Sequence, residues 1–465
     1  MNDFITLMKP ELLLALIIFV LLFIKLGKGM NKSSLLILIQ LLLLINFVAG
    51  FFFNHEGKLF GDMYKTDAMI IFQKNILNLG VYLISLLFTD WFLKTKNLPE
   101  FFTLLLSALL GMFFLISSGN LLMFFLSLEL ATIPVAAMAN FDLHKRISSE
   151  GAIKFILISA FSSAILLFGI SLIYGATGSI NFVEIPSAIS GNSLEILAFV
   201  FLFTAFAFKM SIVPFHLWTA DVYQGAPMPT ASFLSVISKG AVAFILITVL
   251  YKVFQPIQKN WYDLITLLSV VTLITGNLFA LRQQNIKRFL AFSSIAQIGF
   301  ILVGISGNSP EGLASVVYFV LIYIFSNLAA FAVAATISAN TGKENISDYK
   351  GFYQRNRFLA WVMALALFSL AGIPPTAGFF GKLFLLKAGA ANANYLFIII
   401  VALNLILSLY YYLRVIRSMF MDKNDYPIEK IELKPATKLG MYLCCAGIIF
   451  VGIFSWVYEY IQSLT

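Results

Sequence analysis

The sequence predicts an all-α integral membrane protein of about fourteen spanning helices, because apolar runs of about 20 residues recur from end to end. Two further observations agree: charge is scarce, and basic residues collect in alternate connecting loops. Of 465 residues, 60% are hydrophobic and only 11% charged, whereas a soluble domain is about a quarter charged. Helix is the element to expect, since lipid offers no partner to an unpaired backbone N–H or C=O.

The runs fall near 10–28, 34–53, 73–93, 100–117, 119–140, 150–175, 194–218, 228–251, 262–281, 287–305, 312–340, 356–388, 394–420 and 438–461. The first, Leu12 to Ile24, follows a segment with one lysine and no small-residue cleavage site, so it reads as a retained span. Grouped, they suggest a three-helix segment over 1–99, a first repeat over 100–251, a second over 262–420 and a last helix over 438–461.

A net charge of +9 is spread along loops with no stripe interleaved with aromatic residues, which excludes a nucleic-acid surface. Topology explains it instead: odd-numbered loops hold about 20 Lys and Arg residues, and even-numbered loops with the termini about 7. Lys25, Lys28 and Lys32 mark the first odd loop, Arg282, Lys287 and Arg288 a middle one, and Lys343–Arg357 and Arg414–Lys438 the last two. By the positive-inside rule these loops are cytoplasmic and both termini face out.

Metal chemistry has no legible basis here. His55, His144 and His216 are far apart, and the adjacent Cys444 and Cys445 sit in an apolar run as small hydrophobic residues. GFFGKL, Gly378 to Leu383, has the Gly-Lys pair of a phosphate loop, but lacks the four-residue spacing, the following hydroxyl and the preceding strand.

Two runs are interrupted. Pro214 lies in FAFKMSIVPFHLW, and Pro374 and Pro375 lie in AGIPPTAGFFGK, where each proline removes a backbone donor. Both breaks carry a lysine, Lys209 before Pro214 and Lys382 after Pro374. Two broken helices about five spans apart suggest an internal duplication of the inverted-repeat kind found in transporters.

With loop charges assigned, Lys154, Lys209, Lys239, Lys382 and Glu129 remain at membrane depth. Intramembrane ionisable residues are rare and point to a relay, although Lys154, near a helix end, can also snorkel to the interface. Burial disfavours the charged form of an amine and a nearby carboxylate favours it. Moving Glu129 towards or away from Lys209 would thus switch that lysine between holding and releasing a proton. A broken helix adds carbonyl and amide groups that hold water. His216 suits either proton passage or an interfacial hydrogen bond.

FKMSIVPFHLWTADVYQGAPMPTASFLSVISKGA, with LSLELATIPVAA before it and FSLAGIPPTAGFFGKLFLLKAG after it, resembles the antiporter-like subunits of respiratory complex I. PFHLWTADVYQGAP, where subunits M and L carry a WLPDA-type sequence, and Lys382, where subunit M has glutamate, place the resemblance with the N branch. It covers roughly 100–390 and implies broken helices 7 and 12 of a fourteen-helix subunit. By that resemblance Glu129 is the carboxylate of helix 5, and Lys154, Lys209, Lys239 and Lys382 are the lysines of helices 6, 7, 8 and 12, forming a polar axis. Gln297 departs from the family, which often has histidine there, and glutamine cannot titrate.

The resemblance implies a proton-translocating subunit without a redox group, with NADH, FMN, iron–sulfur clusters and quinone in partner subunits. It also implies a bacterial inner-membrane location beside subunits M, J and K. The rival readings are a subunit of a sodium/proton antiporter or membrane-bound hydrogenase, and a structural scaffold whose lysines are merely paired.

Overall fold

The computed structural model describes every residue except Met1, Lys28, Gly29 and His144, with Asn2 described by its backbone alone. Lys28 and His144, named above among the loop charges and histidines, therefore lie outside the described residues. Among the described residues, twelve helices are long and apolar enough to cross a membrane. The two other expected runs are α1 (Lys9–Leu26), which carries Lys9, Glu11 and Lys25, and the run 356–388, which is split in two.

After α1 come α2 (Lys32–Ala49), a hairpin of β1 (Gly57–Leu59) and β2 (Tyr64–Thr66), and α3 (Ala68–Leu87). The hairpin pairs Gly57 with Thr66 and was not legible in the sequence. Next are α4 (Leu98–Ile116), α5 (Leu121–Ala139), α6 (Arg146–Thr177), α7 (Ser193–Met210) and α8 (Leu217–Gly225). Then follow α9 (Met228–Val253), α10 (Gln258–Arg282), α11 (Ile286–Ser306) and α12 (Pro310–Thr341). The interrupted run is α13 (Arg357–Ala371) and α14 (Ala377–Gly389), followed by α15 (Tyr395–Phe420) and α16 (Pro435–Ile453). The last expected span, 438–461, is also divided, because a separate helix begins at Trp456.

Helix starts are closed by side chains, as the unpaired first-turn donors require. Asp67 accepts from Ile70 N at 2.7 Å and Asn120 from Met123 N at 2.7 Å. Glu195 closes a capping box with Asn192 and accepts the backbone N–H of Gly191 at 2.6 Å, which accounts for a carboxylate at that depth.

A local arrangement occurs twice. Asn120 caps α5 and bridges to Asn181, while Leu121 N donates to the Ile180 carbonyl at 2.9 Å and Phe182 N to Gly119 at 3.0 Å. In the same way Asn285 caps α11 and bridges to Asn345, Ile286 N donates to Glu344 at 2.8 Å and Ile346 N to Gln284 at 2.8 Å. The helix pairs that meet there also touch alike. A Cβ on Gly111 of α4 would lie 2.4 Å from Ala131 N of α5, and one on Gly276 of α10 would lie 2.6 Å from Ala296 N of α11.

The breaks match too. Ser211 and Gly372 end α7 and α13 in the left-handed region, at φ 62° and 83°. Ile212 N and Ile373 N each reach back five residues, to the carbonyls of Ala207 and Phe368. In this register Glu129 corresponds to Ser294 and Thr132 to Gln297, while Lys209 corresponds to Leu370 and Lys382 to Asp221.

The Asn285 turn is held by Glu344, 2.6 Å from the Lys287 ammonium. Burial pushes the Glu344 carboxyl up, but Lys287, Ser338 and Asn285 outweigh it and hold the group below its ordinary value. The stability it contributes is therefore present above about pH 4.3, the unfolded value, and is lost as pH falls through the lower folded one. Thermal unfolding in detergent should show this acid loss in the wild type and a flatter pH dependence in Glu344→Gln. Gly111→Leu should separate α4 from α5 and lower stability by about 1–3 kcal/mol in the same assay.

Candidate proton-transfer site

The first break ends α7 one residue past Lys209, whose side chain is 7% exposed. Its amine donates to the Thr132 hydroxyl, which in turn donates to the Leu128 carbonyl at 2.5 Å. The faces of Phe155 and Phe208 lie 5.4 Å away and complete the amine's surroundings with ring quadrupoles. Glu129 does not touch Lys209: it is half-buried and accepts a hydrogen bond from Ser163 of α6. Thr132 is one turn beyond Glu129 on α5, so the carboxylate and the amine meet the same helix face through different groups, and the carboxylate's charge still reaches the amine.

Lys239, 1% exposed, follows a π-helical turn over Phe233–Ser238 and donates to the Ser294 hydroxyl at 3.0 Å. Its ammonium stands 5.8 Å from the Tyr223 ring. One turn earlier in the π segment, Ser235 donates to the Asn327 side chain at 3.3 Å and lies 3.4 Å from the Tyr323 hydroxyl. A π turn adds a residue to the helical cycle and re-aims the face that follows it. Here Ser235 and Lys239 are brought into one buried polar seam.

Lys382, 2% exposed, reaches back across the second break and donates to the carbonyls of Leu370 at 2.6 Å and Ala371 at 3.3 Å. These are the last carbonyls of α13, left without helical donors because the chain turns away at Gly372. Gln297 donates to the same Leu370 oxygen at 3.0 Å and to the Tyr412 hydroxyl at 2.9 Å, and Tyr412 contacts Ser293. Gln297 is thus tied directly to the oxygen that holds Lys382. Pro214 and Pro375 each follow a cis peptide bond, and Pro374 precedes the second.

Lys154 is placed apart from these three. Its side chain is 40% exposed, two turns into α6, and is ion-paired with Glu150 at 2.7 Å and Asp221 at 2.6 Å. Asp221 of α8 also receives Arg288 of α11 at 2.8 Å, so the pair joins α6, α8 and α11. His216 is buried at the start of α8, where the charge of Lys239 reaches it. GFFGKL is helical throughout.

Thr132, Ser294, Tyr412 and the Leu370 carbonyl were missed in the sequence. Buried hydroxyls are too common among apolar residues to stand out, and a backbone acceptor has no side-chain signature. Lys74 was also missed: it falls at the edge of the expected run 73–93, yet it is 1% exposed and pairs with Glu11 at 2.6 Å.

Residues 118–408 match the family model described as NADH:quinone oxidoreductase/Mrp antiporter, TM. NADH-quinone oxidoreductase subunit N of Phocaeicola vulgatus is 47% identical over 88% of this chain and 87% of its own length. The subunit N of Moorella thermoacetica is 39% identical over 77% and 76%. A chain of respiratory complex I from Thermus thermophilus superposes with TM-score 0.83 at 25% identity, covering 97% of this chain and 98% of that one. A chain of the Mrp complex from Dietzia sp. DQ12-45-1b shares the fold, with TM-score 0.85 at 17% identity over 99% and 95%. With three buried amines on its interrupted and π-turned helices and these relatives over most of its length, the chain belongs to the NADH:quinone oxidoreductase/Mrp antiporter transmembrane family, among members named subunit N.

Proposed function

We propose that this chain is a proton-translocating membrane subunit of NADH-quinone oxidoreductase, itself without a redox group. The observation that carries the reading is that Lys209, Lys239 and Lys382 are all buried and all donate to neutral oxygens: Thr132, Ser294 and the Leu370 carbonyl. A carboxylate in contact would hold the ammonium form, whereas a neutral acceptor satisfies the N–H without pinning the charge. The amines are therefore poised to exchange protons. NADH, FMN, iron–sulfur clusters and quinone belong to partner subunits, and the energy of electron transfer reaches this chain through its contacts.

Protons enter towards Lys209 from the cytoplasm, pass to Lys239 and leave near Lys382. Glu129 sets the affinity of Lys209 from across Thr132. Lys154 acts through Asp221, holding α8 in place. The duplicated caps, glycine contacts and breaks support two inverted repeats, near 100–251 and 262–420. The neighbours are subunit M and the small subunits J and K, in a bacterial inner membrane with both termini outside.

Lys209→Ala or Lys239→Ala, in assembled complex reconstituted in vesicles, should lower the proton-to-electron ratio while quinone reduction in uncoupled vesicles persists. Wild-type ratios in both would overturn the reading. Glu129→Ala should have the same direction of effect. Thr132→Val should slow coupled pumping about tenfold or more, the effect of losing about 1.4 kcal/mol, and Thr132→Ser should restore it. Gln297→Leu should cost about 1–3 kcal/mol of stability by stranding Tyr412 and loosening Leu370, seen in thermal unfolding.

A further inference from the structure

A cavity of about 380 Å³ lies apart from the three relay lysines, where α3 and α12 begin and α4 and α9 end. The ends of spanning helices mark the headgroup level of a bilayer. Lys65 of β2, Lys252 of α9 and Gln73 of α3 give the cavity polar groups, and Met69, Ile116, Ile247 and Leu313 are part of its apolar wall. Both lysines belong to even-numbered loops, so the topology that gathers cations in the odd ones does not account for them.

Three observations separate this cavity from ordinary solvated surface. Gln73 is 4% exposed, and its side-chain amide lines the cavity without a hydrogen bond to any described residue. Buried amides are ordinarily paired, because an unpaired one forfeits its hydration. Lys65 and Lys252 act on each other's charge, yet among the described residues neither forms an ion pair. Burial, and then the charges of Lys58 and Lys252, hold the Lys65 amine below its ordinary value against the pull of Asp62. Finally, Lys252 sits on a π-helical turn, Val249–Val253, the second in a helix whose first such turn precedes Lys239. Asp67 and Thr465 bring carboxylates to the same wall, but Asp67 turns to the start of α3 and accepts Ile70 N at 2.7 Å.

We propose that this cavity binds the phosphodiester headgroup of a membrane phospholipid, with Lys65 and Lys252 at the phosphate and Gln73 donating to a phosphate or ester oxygen. An anion between the two amines relieves their mutual repulsion, and the Gln73 amide gains the partner that the chain does not supply. The acyl chains leave along the apolar wall at Met69 and Leu313. A free phosphate offers the amines the same oxygens, but it leaves that wall uncovered. The volume also favours the lipid, since it falls in the range of about 300–1,000 Å³ usual for organic ligands.

The test uses the assembled complex, stripped of lipid in detergent and given phosphatidylglycerol or phosphatidylethanolamine with a photoreactive group beside the glycerol. Cross-links should map to residues 69–73 or 247–252 and fall about tenfold in the double variant Lys65→Gln with Lys252→Gln, the loss expected of one charge-assisted hydrogen bond. Gln73→Leu keeps both amines and provides a second reading, which decides should the double variant not assemble. With phospholipid bound, Gln73→Leu should lose labelling and part of the thermal stability that added lipid confers. A Gln73→Leu complex that is more stable than wild type and labels equally overturns the proposal, because the amide then had no ligand to lose. Inorganic phosphate should not compete with the lipid; if it abolishes labelling, the site takes a free anion and the lipid assignment falls. No label at these residues, or carbodiimide coupling of Lys65 or Lys252 to a carboxylate of a neighbouring subunit, also overturns it. None of these residues belongs to the relay, so the proposed function stands or falls separately.

Discussion

The cost of holding an amine away from water governs this molecule. A lysine at membrane depth must find acceptors for its N–H groups, and a helical backbone has none to spare. Three of the deep lysines meet neutral oxygens, each differently: a threonine one turn from a carboxylate for Lys209, a serine on a facing helix for Lys239, and carbonyls released by a helix end for Lys382. The breaks, the π turn and the glycine contacts that bring the helices together all serve this requirement.

The matching local arrangements are clearest where the chain is least helical. The Asn120 and Asn285 caps sit in matching backbone pairings, and Ser211 and Gly372 end their helices in the same left-handed conformation. Yet the chemistry carried on this shared frame differs. Glu129 has Ser294 as its counterpart, and Lys382 stands where the first half has Asp221. The first half therefore sets a carboxylate near its amine, and the second relies on a hydroxyl and on backbone carbonyl oxygens. Asp221 instead faces Lys154 and Arg288 and ties the halves together.

Carboxylates in this chain thus divide by what they touch. Glu195 accepts backbone donors at a helix start, Asp221 and Glu344 bind basic side chains near the chain's surface, Glu129 accepts a serine, and Glu11 binds a buried ammonium. Only contact geometry separates these roles, because all five lie within or beside apolar runs.

The sequence by itself determined the membrane class, the run of spans, the two interruptions and the identities of Lys209, Lys239 and Lys382. Hydropathy, proline chemistry and the rarity of charge in lipid are local properties, readable from a short window. Tertiary structure alone decided which oxygen each amine meets, that Lys154 is ion-paired away from the other three, and that Gln297 shares an acceptor with Lys382. It also decided that Lys74, apparently at a helix end, is sealed against Glu11, 63 residues away. Such contacts depend on helix rotation and close approach, and the glycines and π turns that set those distances have no charge or periodicity by which a sequence would reveal them.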